Sequence, residues 1–193
     1  MTTIIDMIRH GEPEGGNRYR GHSIDDPLSE KGWLQMWQAV ENRPVWDQVI
    51  TSPMQRCKAF AEAYADKHQL PVIEEPRLVE IGFGAWEGLT SAEILATDKE
   101  AITRFYQDPV NNQPEGAERL RAFQSRVNDS LQDMLKQQAG KKTLLVVHAG
   151  VMRAAICAMT LSPLLSMYRM SIGNAAIIRI KDDGIRPATV IFS

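Results

Sequence analysis

The sequence of 193 residues lacks the features that mark several common classes of protein. It has only two cysteines, Cys57 and Cys157, which lie far apart in predicted helices, so a disulfide framework is not expected. The net charge is −2 and no run of lysine and arginine forms the basic stripe of a duplex-binding domain, so no nucleic-acid partner is expected. No stretch approaches the roughly 20 apolar residues that span a bilayer, so no membrane partner is expected. The first apolar run is interrupted by Asp6 and lacks the pattern of a secretory signal, and we therefore expect a cytoplasmic protein.

Several signature motifs are missing as well. The sequence has no G-x-x-x-x-G-K-[ST] phosphate loop, no G-x-S-x-G nucleophile elbow and no H-E-x-x-H zinc motif. Its glycine-rich segment, residues 82–88, has the spacing G-x-G-x-x-x-G, which is not the dinucleotide fingerprint. The sequence therefore does not indicate a phosphate-loop nucleotide site, a serine hydrolase of the nucleophile-elbow type, an H-E-x-x-H zinc site or a dinucleotide site.

What the sequence does contain is an alternation of strand and helix patterns, typical of a layered α/β fold. With 44% hydrophobic and 24% charged residues, the chain has the composition of an ordinary globular protein. The predicted strands are Thr3–Ile8, Val45–Ile50, Pro71–Ile73 and Thr143–Val147, followed by a hairpin of Ala175–Ile180 and Ala188–Phe192. The predicted helices run from Ser29 to about Asn42, from Ser52-Pro53 to Tyr64 or His68, and over Ser91–Thr97, Lys99–Tyr106, Glu118–Gln138 and Val151–Leu161. Residues 1–193 are expected to form one domain, with an excursion over the sheet edge at about 89–113.

Histidine follows an apolar strand at two places, which is informative in a chain with only four histidines. Arg9-His10-Gly11-Glu12 closes the first strand, and His148 directly follows the most continuous apolar run. Inside a regular strand, Arg9 and His10 would point to opposite faces of the sheet. They can converge only where the strand stops, and ligands of open α/β sheets lie at that carboxyl end. The other two histidines, His22 and His68, are predicted to face solvent.

Two further charged residues stand out by their local context. Ser52-Pro53 has the pattern of a helix start, with Ser52 as N-cap, which puts Arg56 near the first helical turn. A cation is disfavoured there by roughly 0.3–1 kcal/mol, and an anion bound at the helix N-terminus would reverse the effect. A surface arginine paired with a carboxylate would account for the same pattern. Glu80 precedes the glycine-rich segment and is either a solvated loop carboxylate or a proton donor.

Two arginines and two histidines that meet at one point would form an anion site, and a phosphoryl group is its natural ligand. Phosphoryl transfer depends mainly on stabilising the charge that spreads over the equatorial oxygens. One histidine could be the nucleophile, because neighbouring cations would lower its pKa below about 6.5 and keep it neutral. Glu80 could protonate the departing alkoxide. A zinc site of two histidines and a carboxylate is possible in principle, but arginines repel a cation.

With these residues identified, the sequence resembles the histidine phosphatase superfamily, which includes the cofactor-dependent phosphoglycerate mutases. The resemblance covers nearly the whole chain and rests on an ordered set of motifs: Arg9-His10-Gly11-Glu12, Asp26-Pro27-Leu28-Ser29-Glu30-Lys31-Gly32, Thr51-Ser52-Pro53 with Arg56, Leu78-Val79-Glu80 through Trp86-Glu87-Gly88, and Val147-His148-Ala149-Gly150. It implies His10 as the phosphorylated nucleophile, Glu80 as proton donor, and a phosphate clamp of Arg9, Arg56 and His148. It also implies a three-layer α-β-α fold of the phosphoglycerate mutase type, with a mostly parallel central sheet, and no metal or other cofactor.

Within this superfamily the resemblance is greatest to the bacterial α-ribazole phosphatases of cobalamin assembly. It rests on the short chain, the compact segment between Glu80 and His148, and Tyr19-Arg20-Gly21-His22. The expected activity is hydrolysis of a small phosphorylated metabolite through a phosphohistidine, with α-ribazole 5′-phosphate as the suggested substrate. A phosphoglycerate mutase and a non-catalytic phospholigand-binding protein are the alternatives. The sequence leaves the oligomeric state open.

Two segments depart from the usual motifs of the superfamily. Pro13 stands where a threonine is usual and the spacing after it is altered, so the match of Asn17 to a substrate-binding asparagine of the family stays open. Gly116-Ala117-Glu118 replaces the usual Gly-Glu-Ser, which leaves the role of that segment open.

Overall fold

A mixed sheet runs through residues 1–192, the part of the chain that the computed structural model describes. Its strands are β1 (Thr3–Arg9), β2 (Gln48–Thr51), β3 (Val72–Glu74), β4 (Lys142–Val147), β5 (Ile177–Asp182) and β6 (Thr189–Phe192). The strand order across the sheet is β3-β2-β4-β1-β5-β6. Strands β1 to β4 are parallel, whereas β5 runs antiparallel to β1, and β6 antiparallel to β5. The sheet is therefore mostly parallel, with the predicted hairpin at one edge.

Helices cover both faces of this sheet. They are α1 (Glu30–Val40), α2 (Gln55–His68), α3 (Ser91–Thr97), α4 (Ala101–Gln107), α5 (Leu120–Gln137) and α6 (Ala149–Thr160), with 3-10 turns at Pro76–Leu78, Gly84–Trp86 and Leu164–Arg169. Alternate residues of β4 pack on opposite faces: Leu144 and Val146 contact the core under α1 and α2, and Leu145 and Val147 the core under α5 and α6. The predicted three-layer α-β-α fold is confirmed. No helix within residues 1–192 combines the length and the apolar character needed to cross a bilayer.

The second strand is displaced from its predicted position. It begins at Gln48 rather than at Val45 and extends to Thr51. Val45 is 49% exposed, and Trp46 is buried beside the sheet with its indole nitrogen donating to Asp6 Oδ2 at 2.9 Å. Trp46 therefore packs against the sheet from a loop while Val45 remains exposed, which a strand pattern cannot reveal.

The prediction that Ser52 caps the second helix is wrong. Helix α2 begins at Gln55, and its N-cap residue, Met54, makes no side-chain cap bond. Asp25 acts as the cap instead, because its Oδ1 accepts a hydrogen bond from the Gln55 amide at 2.8 Å. A carboxylate supplied by a distant loop thus replaces the local cap, and the Ser52 hydroxyl is available to another partner.

The prediction for the two remaining histidines is half right. His22 is exposed, as expected. His68 is half-buried, because its ring packs on Tyr64 with the ring centroids 4.4 Å apart. The two residues are four apart on α2 and therefore share a helix face, so the aromatic contact shields His68 from solvent.

Three neighbouring parallel strands end at the same edge of the sheet. Strands β1 and β4 pair in register up to their last residues, and β2 pairs with β4 to within one residue of that end. The residues that follow the three strands are His10, His148 and Ser52. Because parallel strands share one carboxyl edge, three distant segments of the sequence are brought to one place.

Candidate active site

Two imidazole rings face each other at this edge. The ring centroids of His10 and His148 are 5.3 Å apart, and the ring planes are inclined by 65°. Both residues are buried, with 6% and 0% of their surface exposed. The backbone holds the pair together, since the His10 amide donates to the carbonyl of Val147 at 2.9 Å. The two histidines that follow apolar strands in the sequence are therefore neighbours in the fold.

The hydrogen bond of His10 to the backbone decides which ring nitrogen carries the proton. Its Nδ1 lies 2.7 Å from the carbonyl oxygen of Gly11. A carbonyl can only accept, so Nδ1 is the donor in the neutral ring and Nε2 keeps its lone pair. The turn requires glycine at position 11, because a methyl group there would overlap the carbonyl of Gly32. His10 thus presents a basic nitrogen, Nε2, in a fixed orientation.

The surroundings of both rings favour the uncharged form. Burial lowers the pKa of His10 well below its ordinary value of 6.5, and the charges of Arg56 and Arg9 lower it further. The hydrogen bond to Gly11 acts in the opposite direction but is outweighed. Burial and Arg56 likewise lower the pKa of His148 well below 6.5. Both imidazoles are therefore neutral at neutral pH.

We expect the rings of His10 and His148 to remain neutral in the folded protein at about pH 6, where an ordinary histidine is largely protonated. Unfolded histidine takes up a proton near pH 6.5, so the folded state binds fewer protons below that pH. These two rings therefore do not lower the unfolding free energy above about pH 6.5, and they lower it increasingly as the pH falls below that value. NMR titration of 15N-histidine-labelled protein measures each ring, with single alanine variants for assignment. An ordinary titration midpoint near 6.5 for either ring would contradict this expectation.

Ser52 and Cys57 lie against His148, and neither was expected at the site. The Ser52 Oγ is 2.8 Å from His148 Nε2, and the Cys57 Sγ is 3.7 Å and 3.6 Å from the two ring nitrogens. All three side chains are buried. Burial raises the pKa of the Cys57 thiol, which is therefore protonated. Ser52 follows a strand just as the two histidines do, and that shared position is the signal by which it could have been found.

Arg56 lies in the first turn of α2, as the sequence predicts, and is 1% exposed. Its two terminal nitrogens donate to the carbonyls of Ile24 and Gly21, each at 2.9 Å, whereas the nearest carboxylate oxygen, of Asp25, is 3.9 Å away. Its Nε is buried without a partner among residues 1–192. A buried donor without an acceptor costs free energy, so this guanidinium is suited to bind an anion.

Arg9 and Arg20 bring two more positive charges to the same place. The Nη1 of Arg9 donates to the carbonyl of Ile172 at 2.6 Å, and its Nε is also buried without a partner in the described part of the chain. Burial lowers the pKa of Arg9, and neighbouring arginines, Arg20 among them, lower it further. Arg20 is held by Asp26, with its Nε 2.8 Å from the carboxylate. The structure thus adds Arg20 to the arginines singled out from the sequence.

Glu80 reaches the same site from the loop after the 3-10 turn at residues 76–78. Its Oε2 accepts a hydrogen bond from the Gly150 amide in the first turn of α6, at 3.1 Å, and its Oε1 accepts from the Ile81 amide at 3.0 Å. Each oxygen keeps a second lone pair that can bear a proton. Glycine at position 150 permits this close approach, because a methyl group there would overlap the Glu80 carboxylate and push it aside.

The segment Gly116-Ala117-Glu118 supports the loop that carries Glu80. The Glu118 carboxylate accepts two hydrogen bonds from Arg126, at 2.7 and 2.8 Å. Arg126 also donates to the carbonyls of Val79 and Glu80, at 2.9 and 3.3 Å. Glu118 and Arg126 together fix the backbone from which the Glu80 side chain projects.

Two residues of the loop after β1, Asn17 and His22, differ in their relation to the site. Asn17 is exposed in the loop after β1, and within residues 1–192 no hydrogen bond joins its side chain to the histidines or arginines of the site. His22 is exposed too, but its Nδ1 lies 3.3 Å from the Glu80 carbonyl oxygen. The role of Asn17 in binding stays a prediction, whereas His22 borders the Glu80 loop.

The comparison with known families agrees with this geometry. A family model described as histidine phosphatase superfamily, branch 1, matches residues 5–192. The chain belongs to the histidine phosphatase superfamily. The match includes the loop of Glu80 and the ends of β1, β2 and β4, and therefore every segment that contributes to the site.

Several similar proteins are phosphatases named for different substrates. Phosphoserine phosphatase 1 of Hydrogenobacter thermophilus is 29% identical over 91% of this chain and 84% of its own length. The adenosylcobalamin/alpha-ribazole phosphatase of Salmonella typhimurium is 27% identical over 86% of this chain and 84% of its own length. The solved structure of a mycobacterial glucosyl-3-phosphoglycerate phosphatase with VO3 has a TM-score of 0.85 at 25% identity, and the alignment covers 98% of this chain and 97% of that one. This chain is an enzyme of the same superfamily, a phosphoric monoester hydrolase.

Proposed function

We propose that the enzyme hydrolyses a small phosphorylated metabolite through a phosphohistidine formed on His10. The observation that carries this proposal is the state of His10, which is buried and neutral and has its Nε2 lone pair available. Beside it are the guanidinium groups of Arg9 and Arg56, each with a buried Nε that has no partner within residues 1–192. A neutral nucleophile among cations suits attack on a phosphate dianion.

In the first step, the Nε2 lone pair of His10 attacks phosphorus and the bond from phosphorus to the ester oxygen breaks. Arg9, Arg56 and His148 hold the equatorial oxygens, over which the charge of the transition state is spread. The unpartnered Nε donors of the two arginines would then gain acceptors. Because these cations and dipoles are in place before the substrate binds, little reorganisation is needed during transfer.

Glu80 is the proposed acid and base. As the alcohol leaves, the protonated carboxyl group donates its proton to the departing oxygen. The resulting carboxylate then takes a proton from the water that attacks the phosphohistidine, the bond from nitrogen to phosphorus breaks, and inorganic phosphate is released. The amides of Gly150 and Ile81 hold the carboxyl group for both proton transfers.

Membership of the superfamily does not identify the leaving group, which is the alcohol part of the substrate. The similar proteins are named for phosphoserine, α-ribazole and glucosyl-3-phosphoglycerate phosphatases, so the same scaffold accepts alcohols of different shape and charge. α-Ribazole 5′-phosphate, to which the sequence resemblance points, is one proposed substrate, and phosphoserine is a second.

Phosphate release from a panel of esters tests the proposal. The panel contains α-ribazole 5′-phosphate, phosphoserine, phosphoglycerates, sugar phosphates and p-nitrophenyl phosphate. The enzyme is expected to release phosphate from at least one metabolite. After brief reaction with a radioactive ester and quenching, the protein is expected to carry an acid-labile, base-stable label. Isomerisation of a phosphoglycerate without phosphate release would identify a mutase instead. Binding without turnover across the panel would identify a phospholigand-binding protein, and either outcome would overturn hydrolysis.

Gly150→Ala is expected to lower kcat/KM by roughly 10²-fold, because the added methyl group displaces the Glu80 carboxyl group by about an ångström. Alanine favours a helix over glycine by about 1 kcal/mol, so a loss of activity without a loss of helix is expected. Steady-state kinetics and circular dichroism measure the two effects. Gly173→Ala is the matched control, since a methyl group at that position meets no atom within 4 Å. Wild-type kinetics in Gly150→Ala would show that the position of Glu80 against α6 does not matter.

A further inference from the structure

Arg153 places a positive charge beside the site, on the side of Glu80, and within residues 1–192 no carboxylate pairs with it. It lies on α6 three residues after Gly150, and residues three apart share a helix face. Its Nε donates to the Met170 carbonyl at 3.0 Å, and its guanidinium carbon is 5.9 Å from the centre of the Tyr168 ring. Its two terminal nitrogens have no protein partner within residues 1–192. A half-buried guanidinium held in this way is suited to a carboxylate, which accepts two parallel hydrogen bonds from it.

No carboxylate within residues 1–192 forms an ion pair with Arg153, whose hydrogen bond is to a backbone carbonyl. Arg9 is anchored to the same loop, by the carbonyl of Ile172. Burial lowers the pKa of Arg9, and the charge of Arg153 lowers it further, so the two guanidinium groups are close enough to repel each other. The carboxylate that raises the pKa of Arg9 belongs to Glu80, and its two oxygens accept from the amides of Gly150 and Ile81 rather than from Arg153. When Arg9 binds the phosphoryl group, Arg153 is left without an anion.

The leaving group of the substrate belongs on this side of the site. In-line transfer puts the departing oxygen opposite the His10 nitrogen, and Glu80 must reach that oxygen. Tyr168 forms a wall next to Arg153, with its ring 4.6 Å from that of Phe105 and 5.9 Å from that of Tyr106 on α4. The alcohol part of the ester is therefore expected on the side where the Tyr168 ring and the terminal nitrogens of Arg153 lie.

We propose that Arg153 binds a carboxylate on the leaving group, and that the substrates are phosphomonoesters of small hydroxy acids. The inference rests on the proposed function, because it concerns the leaving group of the same reaction. It favours phosphoserine over α-ribazole 5′-phosphate, since the α-ribazole leaving group carries no carboxylate. A second phosphate on the leaving group is also an anion, and the experiment separates the two.

Matched pairs of esters isolate the contribution of the carboxylate. Phosphoserine and phosphoethanolamine differ by this group, and in glycerol 3-phosphate a hydroxymethyl group replaces the carboxylate of 3-phosphoglycerate. We expect kcat/KM of the wild type to be at least about tenfold higher for the carboxylate-bearing ester of each pair. Fructose 1,6-bisphosphate and fructose 6-phosphate differ by a second phosphate, and this pair tests whether Arg153 prefers a phosphate to a carboxylate. Equal kcat/KM within both carboxylate pairs would overturn the inference, and so would a preference confined to the bisphosphate.

Substitution of Arg153 tests the assignment to this residue. In Arg153→Gln, the ratio of kcat/KM for phosphoserine to that for phosphoethanolamine is expected to fall about tenfold or more. Arg153→Lys keeps the charge but not the planar fork, so its ratio is expected to lie between those of the wild type and Arg153→Gln. Arg121→Gln removes an exposed charge from α5 and is expected to keep the wild-type ratio. An unchanged ratio in folded Arg153→Gln would overturn the assignment. If Arg153→Gln does not fold, the same ratio in Arg153→Lys and the ester pairs measured with the wild type test the assignment.

Failure of this inference and failure of the proposed function give different results. If the proposed function is wrong, either no ester is hydrolysed or the hydrolysis persists in His10→Ala. If only the role of Arg153 is wrong, hydrolysis depends on His10 but shows no preference for the carboxylate.

Discussion

The His10→Ala variant is expected to lose hydrolytic activity, with kcat lowered on the order of 10⁴-fold or more, as for other covalent nucleophiles. The substitution removes the Nε2 atom that attacks phosphorus. His148 cannot replace it, because its own Nε2 lies 2.8 Å from the Ser52 hydroxyl. Arg9 and Arg56 remain, so substrate binding is expected to persist. Phosphate release at saturating substrate measures the loss, and the acid-labile label is expected to disappear with it.

His68→Ala is the matched control for this experiment. His68 packs on Tyr64 at the last residue of α2, whereas Arg56 and the site lie at the opposite end of that helix. The control variant is expected to keep both the activity and the label. Full activity in His10→Ala, or a label that survives in it, would rule out His10 as the nucleophile.

The Glu80→Gln variant is expected to slow the hydrolysis of alkyl phosphates by about 10²- to 10⁴-fold, the usual contribution of general acid catalysis. Glutamine has the shape of the glutamate side chain but cannot donate the proton that an alkoxide needs. p-Nitrophenolate is a stable anion and leaves without a proton. The burst of p-nitrophenol in the first turnover is therefore expected to slow far less than phosphoenzyme formation from an alkyl ester.

Rapid-quench measurement of the first-turnover rate with both esters in the same variant distinguishes loss of proton donation from misfolding, which would slow both esters. Glu62→Gln serves as the control, because Glu62 is an exposed carboxylate on α2 and makes only a weak contact, 3.8 Å, with Lys58. It is expected to behave as the wild type with both esters. Equal slowing of the two esters in Glu80→Gln would place Glu80 in substrate binding or folding rather than in proton transfer.

The sequence could predict that His10 and His148 are neighbours, because two local patterns are enough for this prediction. An apolar run identifies a buried strand, and the histidine after it marks the strand end. Parallel strands share one carboxyl edge, so His10 and His148 were expected to meet, and their ring centroids are 5.3 Å apart. For Arg56 the sequence left two interpretations, an anion site or a surface arginine paired with a carboxylate. The structure favours the first, because the side chain is buried and its Nε has no partner in residues 1–192.

Ser52 shows where local patterns stop being informative. A serine followed by proline predicts a helix cap, but the cap comes from Asp25, which is 30 residues before Gln55 in the sequence. The Ser52 hydroxyl instead contacts His148, because β2 and β4 are adjacent in the sheet. Nothing near Ser52 in the sequence states which strand will be its neighbour.

The sequence by itself determined the α/β layers and the histidines at the carboxyl edge of the sheet, because hydrophobic periods and strand ends depend on residues close together in the chain. Only the tertiary structure decided which side chains surround those histidines and hold the Glu80 loop. Cys57 contacts His148, and Arg126 binds the Glu80 carbonyl, across 91 and 46 positions of the sequence. Arg153 comes to lie beside Arg9 through the carbonyls of one loop near the C-terminus. Such contacts depend on how distant segments pack together, and no local periodicity encodes them.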